Sequence, residues 1–153
     1  NRGAISDSYA TGAVSVGGTG GSYGGGLAAI NTGEGTVTNS YATGNVTGAS
    51  GLGGLLGRIE SGAVTNSYAT GNVTGTNNLG GLVGVSAGPI SNSYATGNVT
   101  GNSTVGGVVG YNIGVALTNA YYSGKLTTTG INTALLLAIT MVVPLSMPTS
   151  TAR

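Results

Sequence analysis

The sequence predicts an all-β protein: a parallel β-solenoid of about five coils followed by an apolar C-terminal tail. The first observation is a repeated phrase, because TNSYATGNVTG occupies residues 38–48 and 65–75 and SNSYATGNVTG occupies residues 91–101. The second is a nearly constant spacing, since the tyrosines of five such phrases are separated by 32, 27, 26 and 27 residues. A fixed period of this length indicates stacked units of secondary structure. The third is the glycine content of 32 residues, which disfavours helices.

The composition excludes several functional classes. Apolar residues make up 39% of the 153 residues, and the chain has three acidic and four basic side chains. Disordered chains combine low hydrophobicity with high charge, so this chain should fold. A net charge of +1 provides no basic surface for nucleic acid and no polybasic membrane patch. The absence of cysteine excludes a disulfide framework and a thiolate site.

Each repeat is expected to contain two strand-forming parts. In the third copy, the first part consists of Val64–Thr70 and Asn72–Thr74, which are rich in Val, Thr and Tyr as is typical of short strands. Gly71 and Gly75 recur in the neighbouring copies, and we expect them at corners where the backbone needs a positive φ. A second segment, LGGLVG at residues 79–84, recurs as LGGLLG at 52–57 and VGGVVG at 105–110. The glycine-rich residues 17–26 are predicted to form a lateral loop.

This repeat gives two domains and places identical residues in columns. Residues 1–130 form five repeats of about 27 residues, beginning without a cap at Asn1, and residues 131–153 form the tail. Coils stack at about 4.8 Å. The predicted tyrosine column contains Tyr9, Tyr41, Tyr68, Tyr94 and Tyr121. A second column is predicted to form a hydrogen-bonded amide ladder and contains Asn39, Asn66, Asn92 and Asn119, with Asp7 in the terminal slot.

The direction of the tyrosine side chains depends on one bend. If the chain bends at Asn66, Ser67 and Ala69 face inward and Tyr68 faces outward; without the bend, Tyr68 belongs to the core. The outward arrangement is favoured, and the inward one stays open. Outward rings would form an aromatic strip suited to sugars or to a neighbouring fibre.

The phrase GGLVG followed by NSYATGNVTG resembles the repeat of the GLUG-motif family, over roughly residues 3–124. That repeat occurs in large secreted and surface proteins of bacteria, including adhesins and surface-associated proteases. The resemblance implies an extracellular, parallel, solenoid-like stalk. It supplies no catalytic residues.

Neither catalysis nor a cofactor is expected. Asp7, Glu34 and Glu60 are scattered over loops and corners, and no histidine or cysteine is present to bind a transition metal. We therefore predict a protein that is not an enzyme. Among the Asn-x-Ser/Thr sequons, Asn45, Asn72 and Asn98 share one corner, whereas Asn102 lies outside that column and is the candidate glycosylation site.

The tail has ten consecutive apolar residues at 134–143, half of what a helix needs to span a bilayer. It is expected to cap the solenoid or to dock on a neighbouring subunit, with membrane attachment the least favoured role. The predicted assembly residues are Leu135, Leu136, Leu137, Ile139, Met141, Val142 and Val143. The leading hypothesis is a structural subunit that polymerises head to tail into an extracellular fibre or adhesive stalk. The alternative is a carbohydrate- or surface-binding module of a large bacterial adhesin.

Overall fold

The computed structural model describes residues 1–18 and 21–130. These residues form 23 short strands and no helix, and every strand pair is parallel. The strands make four complete coils and three strands of a fifth. The prediction of an all-β parallel solenoid is confirmed.

Each complete coil contains five strands. The first coil contains β1 (Ala4–Ser6), β2 (Tyr9–Ala10), β3 (Val14–Ser15), β4 (Gly24–Gly25) and β5 (Ala28–Asn31). The second contains β6 (Thr36–Thr38), β7 (Tyr41–Ala42), β8 (Val46–Thr47), β9 (Ser50–Gly53) and β10 (Leu56–Ile59). The third contains β11 (Ala63–Thr65), β12 (Tyr68–Ala69), β13 (Val73–Thr74), β14 (Asn77–Gly80) and β15 (Val83–Ser86). The fourth contains β16 (Ile90–Ser91), β17 (Tyr94–Ala95), β18 (Val99–Gly101), β19 (Ser103–Gly106) and β20 (Val109–Asn112). The fifth contains β21 (Leu117–Thr118), β22 (Tyr121–Tyr122) and β23 (Leu126–Thr128).

Strands at the same position in successive coils form five sheets, which we call A to E in the order in which the chain visits them. Sheets A, B and C each have five strands, and sheets D and E each have four. Pairing is in register with the repeated phrase, so Tyr68 pairs with Tyr41 on one side and with Tyr94 on the other. Because the repeats are nearly identical, this register stacks like on like.

The core is divided into two apolar clusters. The larger includes Val64, Ala69 and Leu82 from one coil together with their counterparts in its neighbours. The smaller is formed mainly by sheets C and D and includes Val73 and Leu79. One coil therefore contributes apolar side chains to both clusters, and each side chain is buried by the coils above and below it.

The expectation of a positive φ at the Gly71 and Gly75 columns is wrong. The positive-φ glycines of the described chain are Gly18, Gly33, Gly51, Gly62 and Gly114. Gly71 is required for a different reason: a Cβ at this position would overlap the carbonyl oxygen of Gly44 in the preceding coil. The close approach of adjacent coils, rather than a positive φ, therefore requires glycine at this corner.

The glycine-rich segment at residues 17–26 is only partly a loop. Gly24 and Gly25 are buried and form β4, which pairs with Leu52 and Gly53 of the second coil. The lateral-loop prediction is wrong for these two residues. The apolar tail, residues 131–153, lies outside the described residues.

Candidate interaction surface

The turn between sheets A and B is made by one residue in the left-handed conformation. Asn66 has a φ of 50°, and the same slot in the other coils has values between 48° and 50°. Asparagine tolerates this conformation better than other residues with a Cβ. This is the bend on which the outward arrangement of the tyrosines depends, and it occurs in every coil. The residues in the slot are Asp7, Asn39, Asn66, Asn92 and Asn119.

Hydrogen bonds between side chains in this slot join the first coil to the second, the second to the third and the fourth to the fifth, and we call these five residues the amide ladder. The Asn39 Nδ2 donates to Asp7 Oδ1 at 3.2 Å, and Asn66 Nδ2 donates to Asn39 Oδ1 at 3.3 Å. Further along, Asn119 Nδ2 donates to Asn92 Oδ1 at 3.0 Å. The ladder lies on the exposed surface of the rod.

A second ladder, which the sequence reasoning missed, follows immediately inside the turn. Ser67 is buried, accepts from the backbone N–H of Ser40 at 3.2 Å and donates to the carbonyl of Thr65 at 2.8 Å. Its own N–H donates to Ser93 Oγ at 3.1 Å. Each serine therefore satisfies a buried backbone donor of the preceding coil. The recurrence of serine at this position in the phrase was the available signal.

Beyond the serines, the tyrosine side chains point outward. Ala69 is fully buried, whereas Tyr68 on the same strand is half-buried and lies on the opposite face. The rings of Tyr68 and Tyr94 stack with centroids 4.9 Å apart and planes 3° apart, and those of Tyr41 and Tyr68 are 4.8 Å and 2° apart. The column is completed at its ends by Tyr9 and Tyr121.

This stacking changes what the column presents to solvent. Tyr9 and Tyr121, at the two ends, are 65% and 52% exposed, while the middle rings have a neighbour on each face. Sugars bind aromatic side chains through the ring face, and here the faces of the middle rings are covered. The column exposes ring edges and a row of phenol groups, and this geometry does not support the flat aromatic strip expected from the sequence.

The sequon asparagines form a third ladder, again missed from the sequence. Asn45 Oδ1 accepts from the backbone N–H of Asn72 at 2.9 Å, and Asn72 Oδ1 accepts from that of Asn98 at 2.8 Å. Asn98 Oδ1 accepts from the Lys125 N–H at 3.0 Å. These side chains hold adjacent coils together, which explains their recurrence on structural grounds. Asn102, the candidate glycosylation site, is exposed and lies directly before β19.

In the fifth coil, a larger side chain takes the place of the inward alanine. Tyr122 pairs with Ala95, packs against both apolar clusters and donates its hydroxyl to the Gly97 carbonyl at 3.0 Å. Burial raises the pKa of the Tyr122 phenol, and a backbone hydrogen bond at Val99 opposes this shift. The ring therefore covers the core at the C-terminal end of the described coils.

The acidic side chains do not converge on a site. Glu60 lies 3.4 Å from the Nε of Arg58, whose Nη1 donates to the Tyr23 hydroxyl at 2.5 Å. Glu34 is exposed in a loop, and Asp7 belongs to the amide ladder. Within residues 1–18 and 21–130, no group of three or more His, Cys, Asp or Glu residues could hold a metal ion. Over the same residues, no helix is long and apolar enough to cross a membrane.

Comparison with known families identifies the repeat. The model of the GLUG motif matches residues 20–47, 48–74 and 75–100, three consecutive units that cover more than half of the chain. The chain belongs to the GLUG-motif family. Each match spans about one coil of the GLUG solenoid, so the family unit and the structural unit coincide in length. Neither the comparison with curated proteins nor that with solved structures found a match. The seven apolar assembly residues predicted between Leu135 and Val143 lie outside the described residues.

Proposed function

We propose that the chain is a structural rod segment of an extracellular fibre or adhesive stalk, and that copies of it join end to end. The observation that carries this proposal is the register of the five sheets, in which each coil is the hydrogen-bonding template for a nearly identical neighbour. A rod built in this way is extended by adding like coils. The extracellular setting rests on the resemblance to repeats of secreted and surface proteins.

The outer strands provide the contact. Within the described chain, β1 to β5 pair only with the second coil, and β21 to β23 pair only with the fourth. A strand paired on one side offers its remaining N–H and C=O groups to another strand. Head-to-tail contact between the two different ends of successive copies generates an open filament when the rotation between copies does not close into a ring. The carbohydrate-binding alternative has less support, because stacking covers the faces of the middle tyrosine rings.

A glycine in the first coil allows this proposal to be tested without damaging the fold. A Cβ on Gly12 meets nothing within 4 Å, whereas a Cβ on Gly44 would overlap the Gly12 carbonyl oxygen. If a second copy stacks on the first coil, the carbonyl of its Gly124 comes to lie against Gly12 in the same way. Gly12→Ala should therefore leave the monomer intact and block its N-terminal end.

The experiment compares the full chain with Gly12→Ala and Gly71→Ala by circular dichroism, denaturant unfolding and negative-stain microscopy. The full chain should form rods longer than one molecule, and Gly12→Ala should keep the β-rich spectrum and lose these rods. Gly71→Ala is the matched control and should lower the free energy of unfolding by about 1–3 kcal/mol, because the added methyl overpacks the interior of the stack. A full chain that stays monomeric at high concentration contradicts the proposal.

Truncation tests the contribution of the tail. We expect deletion of residues 131–153 to give short rods or monomers while the β-rich spectrum is retained, because the ten apolar residues at 134–143 are a large surface to bury against a partner. Long fibres from the truncated chain would assign the junction to the coils alone.

A further inference from the structure

The amide ladder has a direction. In each of its bonds the Nδ2 belongs to the C-terminal coil and the oxygen to the coil before it, as in the bonds from Asn39 to Asp7 and from Asn66 to Asn39. The bond from Asn119 to Asn92 has the same direction. In these three bonds the later coil donates toward the N-terminal end and the earlier coil accepts from the C-terminal side.

Asp7 is the first member of the amide ladder and differs from the others in chemistry. An ionised carboxylate has only acceptor oxygens. It can receive the bond from Asn39, but it has no N–H to donate toward a coil placed before it. At the other end, Asn119 uses its Nδ2 on Asn92, so its Oδ1 is the atom that a following coil would meet if the ladder continued in the same direction.

End-to-end stacking therefore brings two acceptors together. When the fifth coil of a second copy lies on the first coil, the Asn119 oxygen faces the Asp7 carboxylate and no proton lies between them. Tyr9 and Gly12 keep the residue types of their columns, so these two slots do not share this mismatch.

We propose that Asp7 limits end-to-end association, by weakening the contact between its coil and the Asn119 coil of a second copy. This inference rests on the proposed function and identifies the residue that regulates the same interface. An asparagine at position 7 supplies the missing donor and removes the charge. One hydrogen bond of this kind corresponds to an association constant about three- to tenfold higher.

The first experiment measures self-association of the full chain and of Asp7→Asn by sedimentation velocity. Glu34→Gln is the matched control, because it removes the same charge from an exposed loop position outside the ladder. We expect Asp7→Asn to associate about three- to tenfold more tightly than the full chain, and Glu34→Gln to resemble the full chain.

The outcomes separate the two proposals. If the full chain associates and Asp7→Asn does so equally, the role of Asp7 is excluded and end-to-end assembly stands. An equal gain in Glu34→Gln also excludes it, since net charge alone would then explain the effect. If none of the three chains associates, both proposals fail.

The second experiment tests the contact of two acceptors inside one molecule. Asn39→Asp places a carboxylate against Asp7 and should shift the unfolding equilibrium toward the unfolded state by about three- to tenfold. Adding Asp7→Asn should recover most of this loss, because the new amide can turn to donate toward position 39. If the double variant is no more stable than Asn39→Asp, contact between two acceptors does not weaken this position and the proposal is overturned.

Discussion

At the scale of single residues, the asparagine of the turn combines two properties that the fold needs. Asn66 adopts a φ of 50° and hydrogen-bonds to the coil before it. Glycine accepts the same backbone conformation but has no amide, and alanine has neither advantage. The recurrent asparagine therefore follows from turn geometry and coil pairing together.

Substitutions at Asn66 can separate these two contributions. Asn66→Ala should lower the free energy of unfolding by about 2–3 kcal/mol, since a left-handed alanine costs about 1–2 kcal/mol and the lost bond about 1 kcal/mol. Asn66→Gly should lower the free energy of unfolding less, because glycine loses the amide bond but adopts the positive φ without strain. Denaturant unfolding of the two variants checks this order, and an Asn66→Gly variant less stable than Asn66→Ala would contradict it.

Tyr122 makes stability depend on pH in the alkaline range. Burial raises its pKa above the ordinary value of 10.0, so the unfolded chain loses this proton first. The stabilisation is fully present below the unfolded value and is lost as the pH rises through the folded one. We expect the free energy of unfolding to fall as the pH rises above about 10. Denaturant titrations of the wild type and Tyr122→Phe should show a smaller fall in the variant, and equal falls would assign the effect elsewhere.

At the scale of elements, the repeated phrase was sufficient to predict the parallel stack, its register and the columns of tyrosine and asparagine. Identical phrases in parallel coils can pair only like with like, so the register followed from the spacing. The physical reason for which a given residue type occurs at each position could not be predicted from the sequence. Gly71 and Asn66 both lie at turns, and only the structure shows that Gly71 is selected by crowding between coils and Asn66 by a positive φ. The serine and sequon ladders depend on the same distances.

The tyrosine column allows a test of stacking within one element. Tyr68 has a ring on each face, whereas Tyr9 stacks only on Tyr41, at 5.3 Å. Each stacked pair contributes about 0.5–1.5 kcal/mol beyond burial. Tyr68→Leu should therefore lower the free energy of unfolding about twice as much as Tyr9→Leu, and near-ultraviolet circular dichroism should change more. Equal losses in the two variants would show that stacking adds little.

At the scale of the whole molecule, the coils form a nearly one-dimensional array. Adjacent coils contact one another through the sheets and through bonds of the side-chain ladders. In such an array, stability is a sum of terms from the coils and their interfaces. Removing one complete coil should shorten the rod and bring its two former neighbours together through contacts of the same kind.

Deletion of residues 63–88 tests this additivity. Val64 pairs with both Val37 and Ile90, so the deletion brings β16 onto β6 in the original register. We expect the shortened chain to keep the same circular dichroism per residue and a cooperative unfolding transition, at a lower midpoint because one interface is lost.

The control is deletion of residues 63–75, which removes β11 to β13 and brings β14 to the position of a sheet A strand. This half-coil deletion should abolish cooperative unfolding, because the apolar side chains of every later coil move out of register with the core. If both deletions unfold alike, the coils are not interchangeable units and the additive description is wrong.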